Sequence, residues 1–230
     1  MRISVMAVIF VALAGVLGLQ SAQAHPARII LLRHGEKRNS ADLCSVGQLR
    51  AQALSDQYLG KGAPGNEAIF GGGGRPDAFF AITIHTQQTA TPSARSWGEK
   101  LTVFSASDES DLDTQTKAAA AALNSPAYEG KTVVVVWEHK HIAKKALNES
   151  DDTFWSLLNL RKISADAGPK TWEGVNYDFF WIIDYTGPQP TFVSLPQDYA
   201  AAADAQLPNN DWGAPVEAAK FPKFYQDCEH

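Results

Sequence analysis

Apolar residues in this chain come in short dense bursts, and amphipathic stretches separate them. Residues 29–32 (IILL) are apolar without interruption and stand between two arginines. A run this short, followed at once by polar residues, predicts a strand covered on both faces. Residues 132–137 (TVVVVW) show the same pattern and predict a central strand. Residues 78–84 (AFFAITI) are β-branched and aromatic and predict another. Residues 101–104, 179–185 and 192–195 supply three more.

Between these bursts the period lengthens. Residues 46–59 place Leu49, Ala53 and Leu54 on one side and stop at Gly60, which predicts a helix. Residues 89–100 predict a second helix, with Pro92 accommodated in its first turn. Residues 114–123, 141–148 and 152–160 predict three more, the last with Phe154, Leu157 and Leu158 as its apolar side. Residues 61–77 are rich in glycine and proline and read as a connection. Their run at 71–74 lacks the lysine and hydroxyl residue of a phosphate-binding P-loop. Strands alternating with helices imply an α/β fold, a three-layer sandwich. Its central sheet would be mostly parallel, with helices on both faces. Trp155, Trp172, Phe179, Phe180 and Trp181 read as core, while the Trp172-Glu173-Gly174 loop is placed to border a pocket. The alanine- and proline-rich stretch from Gln197 onward is expected to wrap the surface.

The first residues change the picture of what belongs to the fold. Arg2, an apolar stretch over 5–19 and the small-residue site Ala22-Gln23-Ala24 read as an export signal covering residues 1–24. One domain over 25–230 would follow, in the periplasm or secreted. The formal net charge is −5 and no basic block occurs, which argues against a nucleic acid or anionic membrane partner. The only cysteines are Cys44 and Cys228. In an oxidising compartment they can bond, tying the tail to the loop after the first strand; two free thiols are the alternative. No Cys/His spacing suggests a zinc site. A copper site on an amino-terminal His25 is disfavoured by Pro26.

The candidate chemistry lies where the apolar bursts end. Residues 29–37 read IILLRHGEK. Ligands bind at the carboxyl edge of such a sheet. Arg33 brings a planar fork suited to phosphate oxygens, and His34 a ring nitrogen that serves as nucleophile or base. Gly35 lets the backbone approach a ligand. The valine-rich burst also ends on a histidine, His139.

This run resembles the opening signature of the histidine phosphatase superfamily, whose fold is phosphoglycerate-mutase-like. The resemblance continues in the same order through Leu43, Ser45, Gly47, Arg50, Ala51 and Leu54. It goes on through Gln88-Thr89-Ala90 and the VVVVWEH run ending on His139. It implies that His34 takes the phosphoryl group, that arginines and His139 hold it, and that an acidic side chain protonates the leaving group. Arg33, His85, Arg50 and Glu36 would then contact the substrate. Glu138 is the nearest acid to His139 in sequence; Glu36, Asp108 and Glu109 are alternatives. No metal or organic cofactor is implied.

The chain departs from the family at one place: His85 stands where a second arginine is expected. A neutral imidazole offers one donor in place of a cationic fork. Thr86, Thr89, a helix amino terminus, Arg50 and Arg95 are the available substitutes. The expectation is an exported phosphohydrolase that acts on small phosphomonoesters through a phosphohistidine on His34. The alternative is a phosphate- or polyanion-binding protein of the same fold with weakened turnover.

Overall fold

The computed structural model describes residues 24–72, 74–163, 170–199, 207 and 226–229. Nearly all of the expected export signal and most of the tail after 199 lie outside the described residues. Among the described residues, no helix is long and apolar enough to cross a membrane.

Six strands form one sheet: β1 (Arg28–Arg33), β2 (Ala78–Ala81), β3 (Leu101–Val103), β4 (Thr132–Trp137), β5 (Phe179–Asp184) and β6 (Thr191–Pro196). Their order is β3-β2-β4-β1-β5-β6. The first four in that order run parallel, and β5 and β6 add an antiparallel edge. The two uninterrupted apolar bursts, β1 and β4, are therefore neighbours at the centre. A strand there has both faces covered and no use for polar alternation.

The period of two sorts each burst between two cores. Ile29, Leu31, Phe80, Val133, Val135, Trp137 and Trp181 face one side. They pack beneath α4 (Glu109–Leu123) and α7 (Phe154–Leu157). Ile30, Leu32, Phe79, Val134, Val136 and Phe180 face the other. There they meet Leu54 of α1 (Ser45–Leu54) and Ala90 and Ala94 of α3 (Ile84–Trp97). The sandwich has three layers, with helices on both faces. A short helix, α2 (Asn66–Phe70), lies within the stretch read as a plain connection and buries Ile69 and Phe70 in the second core.

Several element boundaries differ from expectation, each for a local reason. Helix α3 begins at Ile84, five residues before the expected start. The Thr86 hydroxyl accepts from the amides of Ile82 and Thr83, so β-branched residues that read as strand instead open a helix. Pro92 consequently sits inside α3, beyond its first turn. Helix α4 starts at Glu109 because Asp108 caps it, accepting from the Asp111 amide at 2.9 Å. The helix expected over 141–148 is two turns, α5 (His139–Ile142) and α6 (Lys145–Asn148). Likewise α7 and α8 (Leu160–Ile163) divide the next helix at Asn159, whose φ is 53°.

Cys44 and Cys228 form a disulfide. It presses residues 227–229 against the loop after β1. Asp227 accepts from the Ser45 amide and hydroxyl and from Arg38, and the Glu229 amide donates to the Lys37 carbonyl at 2.8 Å.

Candidate active site

The pairing of β1 with β4 builds the site. Arg33 stands opposite Trp137 in parallel register, so the next residues, His34 and Glu138, leave the sheet side by side. His34 is buried. Its Nδ1 lies 2.6 Å from the Gly35 carbonyl, which can only accept, so Nδ1 carries a proton. Its Nε2 lies 3.1 Å from Glu138 Oε2. A lone pair facing a carboxylate at that distance would be repulsive, so one proton resides in this contact.

Glu138 also accepts from the Thr83 hydroxyl at 2.8 Å and from Lys37 Nζ, 3.3 Å from both carboxylate oxygens. Burial alone would raise its pKa. The charge and hydrogen bond of His34, with Lys37 and Thr83, outweigh burial and hold the carboxyl well below its usual range. Burial lowers the imidazole pKa of His34, against the pull of Glu138. The contact therefore holds one proton between Nε2 and the carboxyl.

His139 opens α5 beside this pair. Its ligand nitrogen, His34 and Glu138 have atoms within 4.8 Å of one another. Burial, with Arg33 and His34 nearby, pushes its pKa down to about 2, so its imidazole is neutral. Two histidines and a carboxylate at this spacing can bind a divalent metal. Here Arg33 and Lys37 flank the group, and that charge suits an anion better.

Arg33 is turned toward the loop after residue 171. It donates through Nη1 to the carbonyls of Gly174 (2.6 Å) and Asn176 (3.3 Å), and through Nη2 to the Tyr177 hydroxyl (3.0 Å). Its guanidinium stacks 3.7 Å from the Tyr177 ring centre. Nε is buried without a hydrogen-bond partner among the described residues. The Trp172-Glu173-Gly174 loop thus borders the site through a backbone carbonyl, while Trp172 itself is core.

Glu36 and Arg50 form a buried ion pair, with contacts of 2.6, 3.0 and 3.2 Å. Burial would lower the Arg50 pKa, but Glu36 more than compensates and raises it. With the guanidinium fork engaged by Glu36, the pair ties the loop after β1 to α1. Gly35 serves the same joint: a Cβ there would meet the Gly47 carbonyl at 2.7 Å, so its close approach is to α1.

His85 lies in the first turn of α3, its ring 5.8 Å from that of His34. Nε2 is 2.7 Å from the Asn39 carbonyl, and Nδ1 is buried without a partner among the described residues. Burial and nearby Lys37 lower its pKa, so it is a neutral donor already in use. Thr86 and Thr89 do not supply hydroxyls to a ligand. Thr86 bonds the helix start, and Thr89 accepts from the Gly35 amide and donates to the His85 carbonyl. Of the alternative acids, Asp108 caps α4 and Glu109 borders the cleft rim. His141 pairs with Asp113 at 2.9 Å and binds α5 to α4.

A cleft of about 400 Å³ opens over this group, lined by Lys37, Thr83, Ile84, His85, Glu138 and His139, with Ala106 and Leu112 beside them. Lys37, Thr83 and Tyr177 are the neighbours that sequence reasoning missed. Lys37 closes the IILLRHGEK run itself; Thr83 and Tyr177 carry no signal in sequence.

No protein-family model matches the chain, and no curated protein matches it. Among solved structures, one similar chain is the putative phosphohistidine phosphatase SixA from Agrobacterium tumefaciens. It is 17% identical, with a TM-score of 0.42, over 74% of this chain and 99% of that one.

Proposed function

We propose that the chain is an exported phosphohydrolase that cleaves small phosphomonoesters through a phosphohistidine on His34. The observation that carries this reading is the contact of His34 Nε2 with Glu138 Oε2, at 3.1 Å, at the carboxyl edge of the two central strands. The proton in that contact prepares both catalytic roles. When Glu138 moves off with it, leaving the His34, Lys37 and Thr83 contacts that hold its carboxyl acidic, burial, Arg33 and Lys37 favour the neutral imidazole, and Nε2 presents a lone pair. Nε2 attacks phosphorus as the ester oxygen leaves, and protonated Glu138 gives that oxygen the proton. Water then attacks the phosphohistidine, with Glu138 as base, and phosphate departs. Arg33 and His139 contribute to holding the phosphoryl oxygens.

The Cys44–Cys228 disulfide supports the export part of the reading, because such bonds persist in oxidising compartments. The test is incubation with an activated phosphate ester, followed by mapping of acid-labile phosphohistidine. Label on His34, absent in His34→Ala, is the expected result. Undiminished turnover in His34→Ala would refute it. Intact mass of the exported protein, expected to begin at His25, tests the signal.

A second reading is phosphate or polyanion binding with weakened turnover. Its support is specific: His85 is neutral and engaged by Asn39, and Arg33 spends its Nη donors on the 174–177 loop. A single-turnover assay separates the two, since a binding protein forms no phosphohistidine.

A further inference from the structure

We infer that the phosphoryl subsite is the donor cradle that Glu138 now fills, and that Lys37 and Thr83 bind the phosphoryl oxygens in place of the missing arginine. This rests on the phosphohydrolase reading and goes beyond it by assigning two further substrate-binding residues.

The cradle is defined by what Glu138 accepts. Lys37 Nζ, Thr83 Oγ1 and His34 Nε2 converge on its two oxygens at 3.3, 2.8 and 3.1 Å. A cation and a hydroxyl around one anion are donors that a tetrahedral oxyanion needs, and the nucleophilic Nε2 faces the same space. Thr83 is also the N-cap of α3, a helix of 14 residues, so the carboxylate sits at the positive end of that helix. The Thr83 hydroxyl donates outward to Glu138, while Thr86 bonds the Thr83 amide, so the cap residue is turned toward the cleft. Lys37 is held in place from behind. Its backbone bridges to Leu43 and accepts from Glu229, the residue after the bonded Cys228.

The charges make the exchange coherent. Glu138 is an internal anion on the nucleophile, and a phosphomonoester would displace it. The departing carboxyl carries the Nε2 proton, and Lys37 and Thr83 pass to the incoming oxygens. Arg33, with its Nη donors committed to the 174–177 loop, then contributes through charge and its unpartnered Nε.

The experiment measures equilibrium binding of orthovanadate and of inorganic phosphate to the natural protein and to Lys37→Met, Lys37→Arg, Thr83→Val, Glu138→Gln and His34→Ala, with thermal midpoints for each. Lys37→Met and Thr83→Val should each weaken vanadate binding tenfold or more, and Lys37→Arg should largely preserve it. Glu138→Gln should bind phosphate more tightly than the natural protein, because the competing charge is gone. Suppose Lys37→Met and Thr83→Val bind like the natural protein while His34→Ala does not bind. The cradle is then overturned and the phosphohydrolase reading stands. Weaker phosphate binding by Glu138→Gln would likewise overturn the cradle. If the natural protein binds neither ion, both fall together.

Discussion

Glu138 Oε2 and His34 Nε2 are 3.1 Å apart because Arg33 and Trp137 are partners in a parallel ladder. A one-residue slip of either central strand would turn one of the two side chains to the opposite face of the sheet and part them. That register is fixed by the apolar side chains of β1 and β4, Ile29 to Leu32 and Val133 to Trp137, all at zero exposure. The His34–Glu138 contact is thus a by-product of core packing.

Glu138→Gln should separate acid catalysis from attack. Turnover of an alkyl phosphate, whose leaving group needs a proton, should fall by about 10²–10⁴-fold. Turnover of p-nitrophenyl phosphate, whose leaving group needs none, should fall much less. Parallel kcat measurements on the two esters check this, and equal losses on both would remove Glu138 from the acid's role.

His85→Arg should raise kcat/KM, about tenfold for each 1.4 kcal/mol of transition-state stabilisation recovered. The natural protein should gain little from His85 near pH 6.5, because burial and Lys37 lower the pKa of that imidazole. A pH series on both proteins decides. A rise toward acid pH in the natural protein that disappears in His85→Arg would contradict this assignment.

Stability should fall as pH drops below neutrality. His139 has its pKa depressed to about 2, against about 6.5 in an unfolded chain. Its contribution is therefore complete above about pH 6.5 and is lost progressively down toward pH 2. Glu138, also depressed, acts in the same direction below its unfolded value of about 4.3. Urea midpoints measured from pH 7.5 to 4 should decline, and His139→Gln should flatten the upper part of that decline.

Arg50→Met should destabilise by about 3–5 kcal/mol, because Glu36 would keep a buried charge with no partner. The double variant Arg50→Met/Glu36→Gln should recover part of the loss. Urea unfolding of the two variants measures the difference, and a double variant weaker than the single one would show that the joint depends on shape rather than charge.

The sheet was legible because its two central strands are covered on both faces, and an unbroken apolar run as short as 29–32 or 133–136 fits little but a buried strand. Of the site, Arg33, His34, Glu138 and His139 were legible because each is attached to the end of such a run. Arg50 and Glu36 were each named as substrate contacts through the resemblance, but their contact with each other depends on how α1 packs and was not legible. Thr83 was hidden because a β-branched residue before Ile84 reads as strand until the Thr86 hydroxyl is seen to start the helix. Tyr177 reaches the site only through the three-dimensional path of a distant loop.

The bond between Cys44 and Cys228 spans 184 positions of the chain, so it closes most of this protein into a covalent ring. Any single cut inside the ring opens it without releasing a piece, and the cleaved molecule keeps its mass apart from one added water. A ring of this size removes about 5 kcal/mol of chain freedom from the unfolded ensemble in the entropic model. The segment it carries also sets the backbone of Lys37. Durability against cleavage and the position of a charge beside His34 therefore depend on the same sulfur–sulfur bond.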